Sequence, residues 1–183
     1  MNQVTHTPDS TRTLMFREAA EAARVVQDQL DHNADAARRI GRLLRERDPA
    51  FMLTVARGSS DHAIYKAPMR FDGSACIVIS QSGASPDLLA VAEAASAAGA
   101  PVIAIVNVED SPLAELADEV LPIRAGPEKS VAATKSFIGS LSAAVQLVAE
   151  WRDDASLREA LSQAPALLAQ AWECDWSAAI EPI

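Results

Sequence analysis

The chain reads as an α/β protein, a parallel sheet with helices packed on both of its faces. Three observations carry that reading. Short apolar runs at Phe51–Ala56, Cys76–Ile79, Pro101–Val106 and Glu119–Ile123 alternate with longer segments of helical period. Strand and helix taking turns implies parallel strands joined by crossover helices. Hydrophobic residues fill 49% of the 183 positions but aromatics only 4%, which suits small aliphatic side chains packed between helix and sheet. The length fits one domain of ordinary size.

The elements follow in order. Residues 1–12 are polar and read as a disordered tail. Ser10 or Thr11 caps a first helix that runs to about Asp31, with Leu14, Ala19, Ala22 and Val26 toward one side. A second helix, roughly Ala34 to Arg47, turns Ile40, Leu43 and Leu44 inward. Its arginines Arg38, Arg39, Arg42 and Arg45 form a solvated outer face. Phe51–Ala56 is a buried strand ended by Gly58. Residues 61–74 contain a proline and a glycine and keep no period. Cys76–Ile79 is the second strand, and Pro86 or Asp87 opens a helix that Gly99 stops. Pro101–Val106 is the third strand, Pro112–Ala117 a short helix, and Glu119–Ile123 the fourth strand. Ser130–Trp151 is a long helix whose apolar stripe is Phe137, Leu141, Ala144, Val145 and Val148. A last helix spans about Leu157 to Ala171.

Charge and motif content narrow the function. Lysine and arginine number 16 against 25 acidic residues, a net charge of -9. An acidic surface argues against non-specific nucleic-acid binding, but a small anion needs only a few local donors. Cys76 and Cys174 lack any metal spacing, and Cys76 reads as a small buried hydrophobe. His6, His32 and His62 lie far apart, so no metal is expected; His62 alone lies near a turn. There is no GxxxxGK[ST] and no GxGxxG, so no nucleotide cofactor is expected. The N-terminus lacks a signal-peptide core, and no apolar stretch is long enough to span a membrane. A soluble, cytoplasmic protein is the expectation.

Two serine-rich turns stand at strand ends: Gly58-Ser59-Ser60 and Ser80 to Ser85. In open parallel sheets ligands sit at the carboxyl ends of strands. Ser85 suits the N-cap, Pro86 the first helical position and Asp87 the first turn. A helix N-terminus there leaves unpaired N–H groups and a partial positive charge. Gly83 lets the backbone approach a ligand, and Ser80, Gln81 and Ser82 add side-chain donors. Together they make a cradle for a phosphate without a lysine. Asp87 would repel a phosphate if it pointed inward and is expected to point away. The competing reading is an ordinary strand-to-helix connection, since serine and glycine are common in turns.

The same residues carry a resemblance. SQSGASPDLL, preceded by CIVI and followed by PVIAIVN, resembles the phosphate loop of sugar isomerase (SIS) domains. RGSSDHA resembles their first-strand turn, and GPEKSVAATKSF the opening of their long helix. TLMFREAAEAARVV resembles the M-x-x-E-containing helix ahead of the first SIS module in glucosamine-6-phosphate synthase. The closer likeness is to glutaminase-free relatives, the isomerising glucosamine-6-phosphate deaminase-like and aminotransferase-like proteins. The likeness covers residues 13 to about 150. It implies a doubly wound, flavodoxin-like three-layer sandwich and a sugar-phosphate ligand such as glucosamine 6-phosphate or fructose 6-phosphate.

By position, Ser80, Gln81, Ser82 and Ser85 would hold the phosphate, with Gly83 at the turn and a hydroxyl from Ser60. Gly58 and Ser59 would shape the same wall. Val131, through its backbone, and Ala133 match positions that approach the sugar hydroxyls; the family often has serine at the latter. The family's catalytic glutamate and lysine lie in a second module and have no match here. Glu128 is the nearest motif-borne carboxylate, and no catalytic residue is assigned. Residues 153–183 read as a C-terminal helix and the start of a linker to a second module. The family also places a crossover helix and a strand between positions matching Ser60 and Cys76, and a βαβ unit needs about 30 or more residues. The chain is too short there, so either the sheet lacks a strand or residues are missing. The resulting expectation is a phosphosugar-binding domain of an aldose–ketose isomerase or deaminase type, incomplete for catalysis. The alternatives are a non-catalytic sugar-phosphate sensor, or a truncated, domain-swapped dimer that binds no ligand. A homodimer is expected in any case, because an exposed sheet edge pairs.

Overall fold

A computed structural model describes residues 13–56 and 73–175. Its sheet has four strands, β1 (Phe51–Ala56), β2 (Ser74–Ser80), β3 (Val102–Val106) and β4 (Glu119–Pro122). They pair in that spatial order and every pairing is parallel. Helices α1 (Leu14–Ala20) and α2 (Ala22–Arg47) precede the sheet. Helix α3 (Pro86–Ala97) links β2 to β3, and α4 (Pro112–Leu116) links β3 to β4. Helices α5 (Lys135–Trp151), α6 (Ala155–Ser162) and α7 (Ala164–Trp172) follow it.

The expected three-layer α/β sandwich is what the chain forms. All five residues of β3 are fully buried, because its two faces serve two cores. Ile103 and Ile105 join Val25, Ile40, Leu44, Ala143 and Leu147 beneath α2 and α5. Val102, Ala104 and Val106 join Leu88, Ala92, Ala95 and Leu113 beneath α3 and α4. Ser74 to Ile79 of β2 pair directly with β1, so β1 stands at the edge of the described sheet. Any strand or crossover helix between Ser60 and the start of β2 would fall largely on residues 57–72, outside the described residues.

Three helix boundaries differ from expectation, each for a visible reason. The first helix is capped at Thr13, whose Oγ1 accepts from Phe16 N–H at 3.1 Å. It is interrupted at Glu21, and α2 then runs unbroken through Asp31-His32-Asn33. Asparagine and aspartate favour turns in isolation, but here the buried polar residues have tertiary partners. Gln29 Nε2 donates to the Gly139 carbonyl at 3.0 Å, and Asn33 Nδ2 to the Pro122 carbonyl at 2.7 Å. The last helical stretch is two helices, broken at Gln163, with Pro165 in the first turn of α7.

The long helix differs most. It starts at Lys135, not Ser130, and its expected apolar stripe faces outward: Phe137 is 61% exposed and Leu141 53%. The buried side carries Ser136, Gly139, Ser142, Ala143, Gln146 and Leu147. Close approach accounts for the small ones among them. A Cβ on Gly139 would lie 2.8 Å from Ile123 Cγ2, and one on Gly41 of α2 would lie 2.7 Å from the Glu150 carbonyl carbon. Large side chains do not fit a helix pair this close.

Candidate functional site

The carboxyl ends of β2, β3 and β4 lie side by side, and three loops leave them. The first is the turn Ser80–Ser85. Ser80 closes β2 and is buried; its Oγ accepts from Gly83 N–H at 3.0 Å. It therefore folds the turn back on itself. Gly83 has φ 63°, the left-handed region that glycine favours. A Cβ there would lie 2.0 Å from Ser111 Oγ and 2.5 Å from Ser111 Cβ. The glycine carbonyl also accepts from Leu113 N–H at 2.9 Å, which ties the turn to the first residues of α4.

Between these anchors Gln81 and Ser82 face solvent, and Ser82 Oγ accepts from Ala84 N–H at 3.3 Å. Ser85 occupies the N-cap position of α3 with extended backbone, and Pro86 begins the helix. The Ser85 side chain does not make the expected cap hydrogen bond to the helix, and the residue is buried. Asp87 lies in the first turn of α3 and is half-buried. The exposed surface of the turn thus combines two donor side chains with the N-terminus of a twelve-residue helix.

Asn107, directly after β3, joins this turn to the loop leaving β4. Its backbone N–H donates to the Ser80 carbonyl at 3.3 Å. Its side-chain Oδ1 accepts from Ala125 N–H at 2.7 Å, and Nδ2 donates to the Gly126 carbonyl at 2.9 Å. One residue therefore joins two loops across the sheet end, its backbone N–H bonding the first and its side-chain amide the second. The sequence displayed this residue as the polar stop of PVIAIVN, but its partners lie 18 and 19 positions away along the chain.

The loop of residues 124–134 carries the other predicted contacts. Val131 is 92% exposed, and Ala132 and Ala133 are exposed beside it. Carboxylates fix the loop on either side of them. Glu128 accepts from the N–H groups of Thr134 and Lys135 at 2.8 Å, from Ser136 N–H at 3.1 Å and from the Ser136 hydroxyl. It caps α5, so the nearest motif-borne carboxylate is committed to that task. Glu18 of α1 accepts from Lys129 and Ser130 N–H, both at 2.9 Å, and from the Ser130 hydroxyl. The hydroxyl bond and the Lys129 N–H bond hold its carboxyl below the ordinary value. Lys135, 3% exposed, pairs with Glu21 at 2.9 Å, which lowers the Glu21 carboxyl as well. The sequence alone assigns no role to Glu18, Glu21, Lys135 or Asn107, although Glu18 is the glutamate of the M-x-x-E stretch and Lys135 lies in GPEKSVAATKSF.

Of the remaining candidates, Gly58, Ser59, Ser60, His6 and His62 lie outside the described residues. His32 is exposed, and its Nδ1 sits 2.7 Å from the Asp28 carbonyl. Among the described residues no cluster of histidine, cysteine or carboxylate could hold a metal ion. No helix among them is long and apolar enough to cross a membrane.

Comparison with known proteins adds four findings. The SIS domain family model matches residues 54–150. The isomerizing glutamine–fructose-6-phosphate aminotransferase of Gluconobacter oxydans is 38% identical over 87 residues, covering 48% of this chain and 14% of the relative. A candidate phosphosugar isomerase from Silicibacter pomeroyi DSS-3 superposes with a TM-score of 0.83 at 41% identity, over 90% of this chain and 58% of the other. The Vibrio vulnificus NanR protein, solved in complex with ManNAc-6P, shares the fold with a TM-score of 0.62 at 17% identity, over 85% of this chain and 69% of the other. The chain therefore spans a small part of the curated relative and somewhat over half of the more similar solved chain.

Proposed function

The chain belongs to the SIS domain family, and from that premise we propose that it binds a hexose or hexosamine 6-phosphate at the carboxyl ends of β2–β4. The observation that carries this reading is the Ser80–Ser85 turn, where exposed Gln81 and Ser82 meet the N-terminus of α3 around a glycine at which any Cβ would clash with Ser111. A phosphate dianion would accept hydrogen bonds from α3 N–H groups and from Gln81 and Ser82. Ser80, buried within the turn, shapes the cradle. Val131 and Ala133 would border the sugar, with Ser59 and Ser60, which follow β1 in the sequence, contributing further hydroxyls. The relatives support the ligand class: one is named for fructose 6-phosphate, one as a candidate phosphosugar isomerase, and one was solved with ManNAc-6P.

In this reading the described half of the site binds and does not itself move protons. Isomerisation between C1 and C2 needs a general base within hydrogen-bond reach of substrate, and Glu128 is spent on α5. The reading places the protein in the cytoplasm, where sugar phosphates are made and held. The outward stripe of Phe137, Leu141, Val145 and Val148 on α5 supports a homodimer, which light scattering would refute by finding only monomer.

Calorimetric titration with glucosamine 6-phosphate and fructose 6-phosphate tests the binding reading. Saturable binding that Ser82→Ala weakens by about tenfold, the loss expected for one hydrogen bond to a charged ligand, would support it. No binding of either sugar by the intact chain, or an unchanged affinity in the variant, would overturn it.

A further inference from the structure

Helix α1 is built the wrong way round for a core helix. Its one buried side chain is a carboxylate, Glu18, at 6% exposure. Its apolar residues Leu14, Met15 and Phe16 are 37% to 42% exposed. Phe16 rests against Trp172 of α7, ring centroids 4.7 Å apart, and the one side chain the helix buries fully is that charge. That charge meets no cation as its nearest partners. It accepts from two successive backbone N–H groups and a hydroxyl, all on Lys129 and Ser130, 111 and 112 positions away.

The consequence appears one residue later. The chain from Val131 to Ala133 leaves the protein surface with Val131 almost fully exposed. An exposed apolar tripeptide in a loop collapses or samples many conformations unless its ends are fixed. Here both ends are. Glu128 clamps the downstream side by gathering the N–H groups of Thr134, Lys135 and Ser136. Glu18 clamps the upstream side. Neighbouring Glu21, which pairs with buried Lys135, ties the same helix junction to the start of α5. The downstream clamp is local, within eight residues. The upstream clamp is the one that needs α1.

We infer that Glu18 is a positioning residue that sets the sugar-facing Val131–Ala133 segment, and so governs discrimination between a sugar phosphate and bare phosphate. The inference rests on the binding reading above. It assigns the two ends of the ligand to separate supports. The phosphate end depends on Gly83, Ser80 and α3. The sugar end depends on a carboxylate delivered by a helix at the other end of the sequence. Ser130 works with Glu18, since its hydroxyl and N–H both reach that carboxylate.

Calorimetry on the full chain separates these roles, with glucosamine 6-phosphate and inorganic phosphate as probes. Glu18→Gln puts an amide where three donors converge, so at least one hydrogen bond is lost. Its affinity for glucosamine 6-phosphate should fall about tenfold, while that for inorganic phosphate stays within about twofold. Ser130→Ala keeps the carboxylate and two N–H bonds, so it should shift the same ratio in the same direction by less. It also serves if Glu18→Gln does not fold. Glu18→Asp, a shorter carboxylate, should recover part of the sugar-phosphate affinity. Equal loss for both probes would show a merely structural role and overturn the inference, as would unchanged sugar-phosphate affinity in both Glu18→Gln and Ser130→Ala. A wild-type chain that binds neither probe would instead bring down the binding reading and this inference with it.

Discussion

Replacing Gly83 by alanine isolates the cost of the tight turn. Two physical terms add. Alanine at φ 63° pays for a left-handed backbone, about 1–2 kcal/mol. Its Cβ would also sit 2.0 Å from Ser111 Oγ, 2.5 Å from Ser111 Cβ and 2.9 Å from Val106 Cγ2, and relieving such overpacking costs about 1–3 kcal/mol. The expected destabilisation is therefore about 2–5 kcal/mol, or a melting temperature lower by about 4–20 °C for a chain of this size. Gly99→Ala is the control, because Gly99 has φ 81° but nothing within 4 Å of an added Cβ. It should show the backbone term alone. The steric term can be checked separately through Ser111, which caps α4 by accepting from Ala114 N–H. Glycine at an N-cap costs only a few tenths of a kcal/mol, yet Ser111→Gly removes the two nearest clashing atoms. The double variant Gly83→Ala/Ser111→Gly should recover about 1 kcal/mol or more of the loss. Urea unfolding of the four chains reads all of this. If Gly83→Ala and Gly99→Ala agreed within about 0.5 kcal/mol, the reasoning about the packed turn would be wrong.

Three other outcomes follow from particular contacts. Gly41→Ala should lower the urea midpoint: alanine gains about 1 kcal/mol of helix propensity, but its Cβ would meet the Glu150 backbone at 2.7 and 2.8 Å, which costs about 1–3 kcal/mol; a raised midpoint would refute the close α2–α5 approach. Iodoacetamide under mildly alkaline native conditions should modify exposed Cys174 and spare Cys76, whose thiol burial pushes up to about 11, so intact mass should show one adduct folded and two in denaturant. Two adducts on the folded chain would contradict the buried position of β2. The Glu18 and Glu21 carboxyls are lowered from 4.5, so their stabilisation is complete above that value and is lost as pH falls through the lower folded values. The stability drop on acidification below 4.5 should be smaller in Glu21→Gln than in wild type, and an equal drop would rule the ion pair out as a contributor.

What was legible in the sequence was what the chain settles locally. The strand Phe51–Ala56 was placed to the residue, and the start of α3 at Pro86 followed from Ser85-Pro86-Asp87. An apolar run or an N-terminal proline carries its own instruction, although β1, expected to be buried, stands at the edge of the described sheet with none of its residues buried and Phe51 49% exposed. The long helix went wrong because its instruction was misleading: Phe137, Leu141, Val145 and Val148 form a regular stripe, and such stripes ordinarily mark the core. The competing signal was Gly41, Gly139 and Ala143, small residues on two different helices whose meaning depends on their meeting. Asn33 misled for a similar reason, since its turn propensity yields to a hydrogen bond with a carbonyl 89 residues away.

The site divides along the same line. Gln81, Ser82 and Gly83 could be singled out because a turn between strand and helix advertises its donors. Asn107 could not, because its side chain bonds residues 18 and 19 positions away, and Glu18 stood out only as the glutamate of the M-x-x-E stretch, its partners lying 111 and 112 positions away. That division bears on chemistry as well as on prediction. Around the Val131–Ala133 segment the described carboxylates Glu18, Glu21 and Glu128 all accept hydrogen bonds from the protein itself. Glu18 and Glu128 each collect bonds from at least two backbone N–H groups and a hydroxyl. A general base needs a lone pair aimed at substrate and a proton affinity near the working pH. Carboxylates engaged this way offer the opposite, with their oxygens bonded to the protein and, for Glu18 and Glu21, their proton affinity lowered. Their placement favours order over proton transfer, which agrees with the proposal that the loop they hold borders a bound ligand rather than acting on it.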